Sequence, residues 1–338
     1  MLQNVPIETS GTLRMPEPHR RPTPPAPATR PGDYVELTVH FRCNLECQHC
    51  MILESMHWLE PADEAAFQGL LDENARDRRW QGLILTGSEV TLRADLPDLA
   101  RRARAAGFSH VRIQTHGMRL ADPRYCRTLV DAGIDEFFVS LTADTAELHD
   151  EITCVPGSFA KTLAGLRNLD AIPGVLTMTN TVVTRLSYRS LPGVVALVGP
   201  LRNLREIHFW TYWPMRETDD LDLLVPHPEV APFLREAVRA GWDAGKHMEV
   251  KNFPHCLLGS EAAALCNDQS ELRIDPAFWR EFGRNGFHQC AYRAVCGSQQ
   301  CLGINTAYAA RYGWHEDILA PLPVADAAPA QVWSEPSS

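Results

Sequence analysis

Cys43-Asn44-Leu45-Glu46-Cys47-Gln48-His49-Cys50 sets three cysteines at C-x3-C-x2-C spacing directly after an alternating apolar run, Tyr34-Val35-Glu36-Leu37-Thr38-Val39-His40. Three thiolates on one tight loop at a strand's end suit an iron–sulfur site. A 4Fe-4S cluster normally takes four protein ligands, so a local set of three leaves one iron open to something other than protein. The rival readings are a structural zinc site and three unrelated buried cysteines. Zinc loops usually close with a nearby second pair of cysteines, and here no further cysteine follows before Cys126.

A chain of 338 residues holds one large α/β domain, or a domain with a smaller module, and can bury a sizeable core. Hydrophobic content of 45% with 22% charged residues is ordinary for a soluble protein. No apolar run approaches the roughly 20 residues a membrane helix needs, and no basic-then-apolar signal opens the chain. A cytoplasmic location without membrane association is expected. Ten cysteines in such a chain favour metal chemistry over disulfides. The net charge of −10 gives no electrostatic footprint for nucleic acid.

Residues 1–33 are rich in Pro, Thr and Arg and read as a solvated, disordered tail, and 317–338 as a flexible one. Between them the pattern alternates. Short apolar strands begin near Tyr34, Gly82, His110, Glu136, Val175 and Glu206, each followed by a helical stretch. Asp95 is expected to cap the second helix and Gly107 to stop it; Ser158 is expected to cap the helix after the fourth strand. Six βα units in succession mean a parallel sheet with helices outside it, too few for the closed eight-stranded barrel.

The three-cysteine loop after a first strand resembles the radical S-adenosylmethionine (radical SAM) superfamily. That resemblance implies a partial (β/α)6 barrel over 34–215, with chemistry at the C-terminal ends of its strands. It implies that Cys43, Cys47 and Cys50 hold a 4Fe-4S cluster whose open iron chelates SAM. An external electron donor such as flavodoxin or ferredoxin would supply the electron that cleaves SAM to a 5′-deoxyadenosyl radical. Thr86-Gly87-Ser88-Glu89-Val90 is similar to the superfamily's Gly-Gly-Glu-Pro motif, so Gly87, Ser88 and Glu89 are expected to hold SAM's ammonium. Read without the family, it is a βα turn with a glutamate placed to suit the helix dipole. Thr115, Ser140 and Asn180, at successive strand ends, and His49, before the third cysteine, fall where the family meets the nucleoside. His149-Asp150 and Gly157-Ser158-Phe159 match a recurrent pattern of the family that carries no assigned chemistry.

Downstream, 216–252 reads as a bridging helix and strand, and 253–316 as a cysteine-rich module holding Cys256, Cys266, Cys290, Cys296 and Cys301. The module resembles the SPASM and Twitch extensions of radical SAM enzymes, with Cys256, Cys290, Cys296 and Cys301 as ligands of an auxiliary cluster. Its C-x5-C-x4-C spacing departs from the usual patterns of both, and zinc or a metal-free region stays open. Cys154 is a candidate hydrogen-atom donor, against the reading of a small buried hydrophobe. The aromatic run Phe209 to Met215 could wall a dry substrate pocket or close the barrel's open side. Peptide modification is the first expectation for function, oxidation or epimerisation of a small molecule such as a sugar or nucleoside the second, and a non-catalytic redox protein the third.

Overall fold

The structure is a computed structural model that describes residues 24–324. The alternating runs form β1 (Tyr34–His40), β2 (Gly82–Gly87), β3 (His110–Thr115), β4 (Glu136–Ser140), β5 (Leu176–Val183), β6 (Leu204–Thr211), β7 (His247–Lys251) and β8 (Glu271–Arg273). The helices are α1 (Glu64–Asp77), α2 (Leu96–Ala105), α3 (Pro123–Asp131), α4 (Ala146–Thr153), α5 (Ser158–Asp170), α6 (Leu191–Val198), α7 (His227–Asp243), α8 (Pro276–Phe282) and α9 (Thr306–Tyr312). All eight strands pair in parallel, in the order β7-β6-β5-β4-β3-β2-β1-β8. β7 and β8 are the two edges, so the sheet stays open.

The sheet is curled. The Tyr34 hydroxyl on β1 donates to Glu136 Oε1 on β4 at 2.8 Å, whereas in a flat sheet those strands would lie about 14 Å apart. Side-chain period two then sorts the strands. Val35, Leu37, Leu83, Leu85, Val111, Ile113, Phe137 and Val139 pack into one core under the helices. The alternate positions Glu36, Thr86, Gln114 and Glu136 face the concave side and are paired there: Thr86 Oγ1 donates to Gln114 Oε1 at 2.9 Å, Gln114 Nε2 to Glu36 Oε1 at 3.2 Å, and Arg112 Nε to Glu136 Oε2 at 2.8 Å. Polar groups at this depth are tolerable only when paired.

The six expected βα units are present, and the sheet runs one strand further at each end. Met248 to Lys251, expected to bridge to the module, belongs to β7 and pairs with β6. The three-residue β8 joins β1 from the far end of the chain, too short to leave a periodic signal. Two caps differ from expectation. Asp95 forms no cap; its oxygens take Arg93 at 2.9 and 2.6 Å, and Arg93 also reaches Val39 O at 2.7 Å. At α5 the capping group is Asp150, which accepts from Gly157 N at 2.6 Å, Phe159 N at 2.8 Å and the Ser158 hydroxyl at 2.8 Å.

Of the expected N-terminal tail, 1–23 lies outside the described residues, while 24–33 crosses the base of the barrel. Ala28 N donates to Glu206 Oε1 at 2.7 Å, Arg112 donates to Thr29 Oγ1 at 2.8 Å, and His247 Nδ1 meets Pro25 O at 2.8 Å. Small side chains bury little there, but the backbone satisfies polar groups at the strand starts. At the other end, 317–324 packs on the module, with Leu319 buried and Gly297 N donating to Leu322 O at 2.9 Å; 325–338 lies outside the described residues. Among the described residues no helix is long and apolar enough to cross a membrane.

Inside the barrel, His208 sits between Glu206 (2.8 Å) and Glu249 (3.2 Å), and Lys251 reaches Glu249 at 3.0 Å. Burial alone would lower the pKa of His208, but the two carboxylates outweigh it and raise it to about 9. The ionic contribution to stability is therefore complete below the ordinary histidine value near 6.5 and is lost as pH rises through about 9. The urea midpoint should fall across that interval in the wild type and stay flatter in His208→Leu; equal slopes would rule out this ion pair as the cause.

Candidate active site

The three-cysteine loop leaves the C-terminal end of β1 and is tied to α4. Glu46 N and Gln48 N donate to the carbonyls of Thr153 and Ile152 at 3.2 and 2.9 Å, and Gln48 Nε2 donates to Glu151 O at 2.9 Å. Backbone amides turn toward the sulfurs: Leu45 N approaches Cys43 Sγ at 3.4 Å, and the amides of Ile52 and Leu53 serve Cys50. All three cysteines are free and partly buried. Burial pushes Cys43 up to about 11 and raises Cys47 and Cys50 as well, so without a metal the loop holds neutral thiols. Among the described residues no three His, Cys, Asp or Glu side chains converge on a single ion. A cluster that takes its ligands at separate corners asks for no such convergence. The donor set, with amides aimed at sulfur, fits a 4Fe-4S cluster.

Gly87 ends β2 so close to β1 that a Cβ there would lie 2.0 Å from His40 O, and Ser88 N donates to that same oxygen at 2.9 Å. Glu89, expected to face a ligand's ammonium, is instead fully buried and engaged by the protein. Its Oε1 accepts from Thr91 N at 3.0 Å, from Thr115 Oγ1 at 2.7 Å and from the Thr91 hydroxyl; its Oε2 accepts from His116 N at 2.8 Å. His116 extends the chain of contacts. Its Nδ1 accepts from Met118 N at 3.2 Å, which leaves the proton on Nε2, 2.8 Å from Asn44 Oδ1 and 3.2 Å from Glu89 Oε2. Glu89 and Thr115 thus brace the ends of β2 and β3 against the cysteine loop through Asn44, the neighbour of Cys43. Ser140 and Asn180 are register partners on β4 and β5, and the buried Asn180 Oδ1 has no partner. His49 is half-buried with its Nδ1 buried and unpartnered, and desolvation pulls it down to about 4. Unpartnered buried polar atoms on β5 and next to Cys50 suit a polar ligand inside the barrel.

Cys154 ends α4 in the left-handed region (φ 57°), exposed, with its thiol toward Glu151 O at 3.6 Å. It neighbours Cys47 electrostatically rather than joining the interior side chains, which removes the geometric basis for a hydrogen-atom donor to a substrate in the barrel. Cys266 is closer to the interior, its neighbours being Glu249, Lys251 and Asp268. Sequence reasoning also missed Glu36, Gln114, His208, Glu249 and Lys251, although polar residues at every second position of an otherwise apolar strand were a usable signal. Of the aromatic run, Phe209 faces the helices and Trp210 lines the interior near Phe138 (5.7 Å between ring centres). Trp213 stacks on Phe287 at 4.1 Å, and Phe278 and Phe282 of α8 pack with Phe41 and Met56 over the mouth.

The module gathers four of its five cysteines. Cys256 has Cys290 and Cys301 as electrostatic neighbours, and Cys301 has Cys290 and Cys296. Again amides serve the sulfurs: His255 N and Gly303 N to Cys301 at 3.5 and 3.3 Å, Leu322 N to Cys296 at 3.4 Å, and Ala320 N to Cys256. Asn267 and Gln300 tie this group to the top of β7, with Asn252 N on Asn267 Oδ1 at 2.9 Å and Asn267 N on Gln300 Oε1 at 2.7 Å.

An open parallel barrel with a three-thiol loop at its first strand end, braced by a buried glutamate at the second, defines the class of iron–sulfur enzymes that work on SAM. Residues 37–191 match the family described as the Radical SAM superfamily, and this part of the chain is a radical SAM domain. Such a domain uses a 4Fe-4S cluster and SAM. A probable GTP 3′,8-cyclase of Metallosphaera sedula is 34% identical over 142 residues, covering 41% of this chain and 43% of that protein. One of Saccharolobus islandicus is 28% identical over 201 residues, covering 57% and 63%. The chain thus spans about half the length of the curated relatives it matches. The crystal structure of Streptococcus suis SuiB superposes with a TM-score of 0.52 at 15% identity, over 71% of this chain and 54% of that one, a likeness of fold.

Proposed function

We propose that the chain is a radical SAM enzyme acting on a small polar molecule seated in the barrel. Cys43, Cys47 and Cys50 hold the cluster, and Cys256, Cys290, Cys296 and Cys301 hold a second one at the mouth. With an electron from an outside donor such as flavodoxin or ferredoxin, bound cluster and SAM supply a 5′-deoxyadenosyl radical. The chain's own residues seat the partners: Ser140 and Asn180 meet the nucleoside, while Glu89 and His116 keep the cysteine loop in register. The observation that carries the small-molecule reading is the buried polar row of Asn180, His208 and Glu249 across β5, β6 and β7, with Lys251 beside Trp210. Relatives named for a GTP reaction add weight, and a purine nucleotide is the first substrate to try. Peptide modification, first in the sequence reading, rests on the cysteine-rich module alone.

The test is formation of 5′-deoxyadenosine by anaerobically reconstituted enzyme with SAM and a strong reductant. Stimulation by GTP, or by another small polar molecule, supports the reading. Stimulation only by a peptide overturns the substrate class. No cleavage by protein with its clusters intact leaves a non-catalytic redox protein. Serine at Cys256, Cys290, Cys296 and Cys301 together should remove about four irons per chain while Cys266→Ser removes none, measured as iron and sulfide content.

A further inference from the structure

The His149-Asp150 pair stands in the family pattern without an assigned chemistry. Asp150 is explained by its three bonds at the start of α5. His149 is not. It is 1% exposed, and both its ring nitrogens are buried without a partner, which no other histidine among the described residues shows. An imidazole always carries at least one N–H. A buried donor left unpaired costs about 1–3 kcal/mol, so a histidine kept dry in this way points to an acceptor that the polypeptide itself does not provide.

Its surroundings point to that acceptor. His149 lies on α4, whose last carbonyls take the amides of Glu46 and Gln48 within the three-thiol loop. His49, beside Cys50, has His149 as an electrostatic neighbour. The edge of Phe159, 5.5 Å away, fixes the ring from the α5 side. We propose that His149 donates an N–H to a sulfur of the cluster held by Cys43, Cys47 and Cys50, and so sets its reduction potential as a positioning and tuning residue. Hydrogen bonds to cluster sulfur stabilise the more negative, reduced state and raise the potential. Asp150 organises the backbone at α5, and its neighbour in sequence sets the poise of the iron.

The inference rests on the cluster reading of Cys43, Cys47 and Cys50, and the experiment separates the two. The full chain is reconstituted anaerobically, and the electron paramagnetic resonance signal that added SAM perturbs is titrated against potential. This is done in wild type, His149→Leu and His149→Gln. The expected result is a lower midpoint in His149→Leu, partly restored in His149→Gln, whose amide keeps a donor, with iron content unchanged in both. A wild-type midpoint in His149→Leu with full iron overturns the inference and leaves the cluster reading standing; no SAM-responsive signal in wild type overturns both. If His149→Leu loses the fold, protein labelled with 15N-histidine in a His49→Phe background decides. A histidine nitrogen coupled to the reduced cluster supports the inference, and no coupling overturns it.

Discussion

Alanine at Cys43, Cys47 and Cys50 together is expected to bring SAM cleavage down to background and to lower bound iron from about eight to about four per chain. The three positions act as one unit, because each thiolate takes its own corner of the cluster and none has a substitute close at hand except the exposed Cys154 beside Cys47. The fold should survive. The loop contributes Leu45 to buried surface, but its backbone remains tied to Thr153 and Ile152, and those bonds do not involve the thiols. Circular dichroism and the iron of the second site are therefore expected to stay at wild-type levels while 5′-deoxyadenosine disappears. A triple variant that kept its full iron would show that the loop binds none.

Glu89→Ala is the second large effect, and it falls on stability as well as activity. The substitution strands the hydroxyl of Thr115 and the amides of Thr91 and His116, all facing a carboxylate that is 0% exposed. Each stranded donor costs about 1–3 kcal/mol, and relaxation makes the sum smaller than its parts. A loss of about 3–5 kcal/mol is expected, read as a lower urea midpoint. Glu89→Gln should cost less: a threonine hydroxyl can rotate to accept from the new amide, while the His116 amide cannot. Because His116 Nε2 also reaches Asn44, slackening here displaces the residue next to Cys43, so SAM affinity should fall in both variants in the same order as stability. Full SAM affinity in a folded Glu89→Ala protein would end the view that this carboxylate braces the loop.

Much of this was legible from the chain, for reasons that particular residues make plain. The first four strands announced themselves because Val35, Leu37, Leu83, Leu85, Ile113 and Val139 alternate into a helix-covered core. The cysteine loop could be read because its spacing is local. What escaped depends on partners far away in sequence. Glu89 looked like a ligand for an amine, since nothing in Thr86 to Val90 reveals that Thr115 and His116 would claim its oxygens. Asp95 is the local exception: it lost its cap to Arg93, a competitor only two residues away. The four module cysteines were separable from Cys266 only in part by spacing; in the fold the difference is that Cys266 N joins Val250 O at 3.1 Å, which turns it to the barrel side. Residues 24–33 have the composition of a solvated tail, and it is Glu206, Arg112 and His247, on three other strands, that give their backbone and Thr29 something to hold.

That last contact has a consequence for traffic. Residues 24–33 lie across the strand starts and cover the base of the barrel there, so the proposed chemistry has its access at the opposite rim, where the cysteine loop leaves β1.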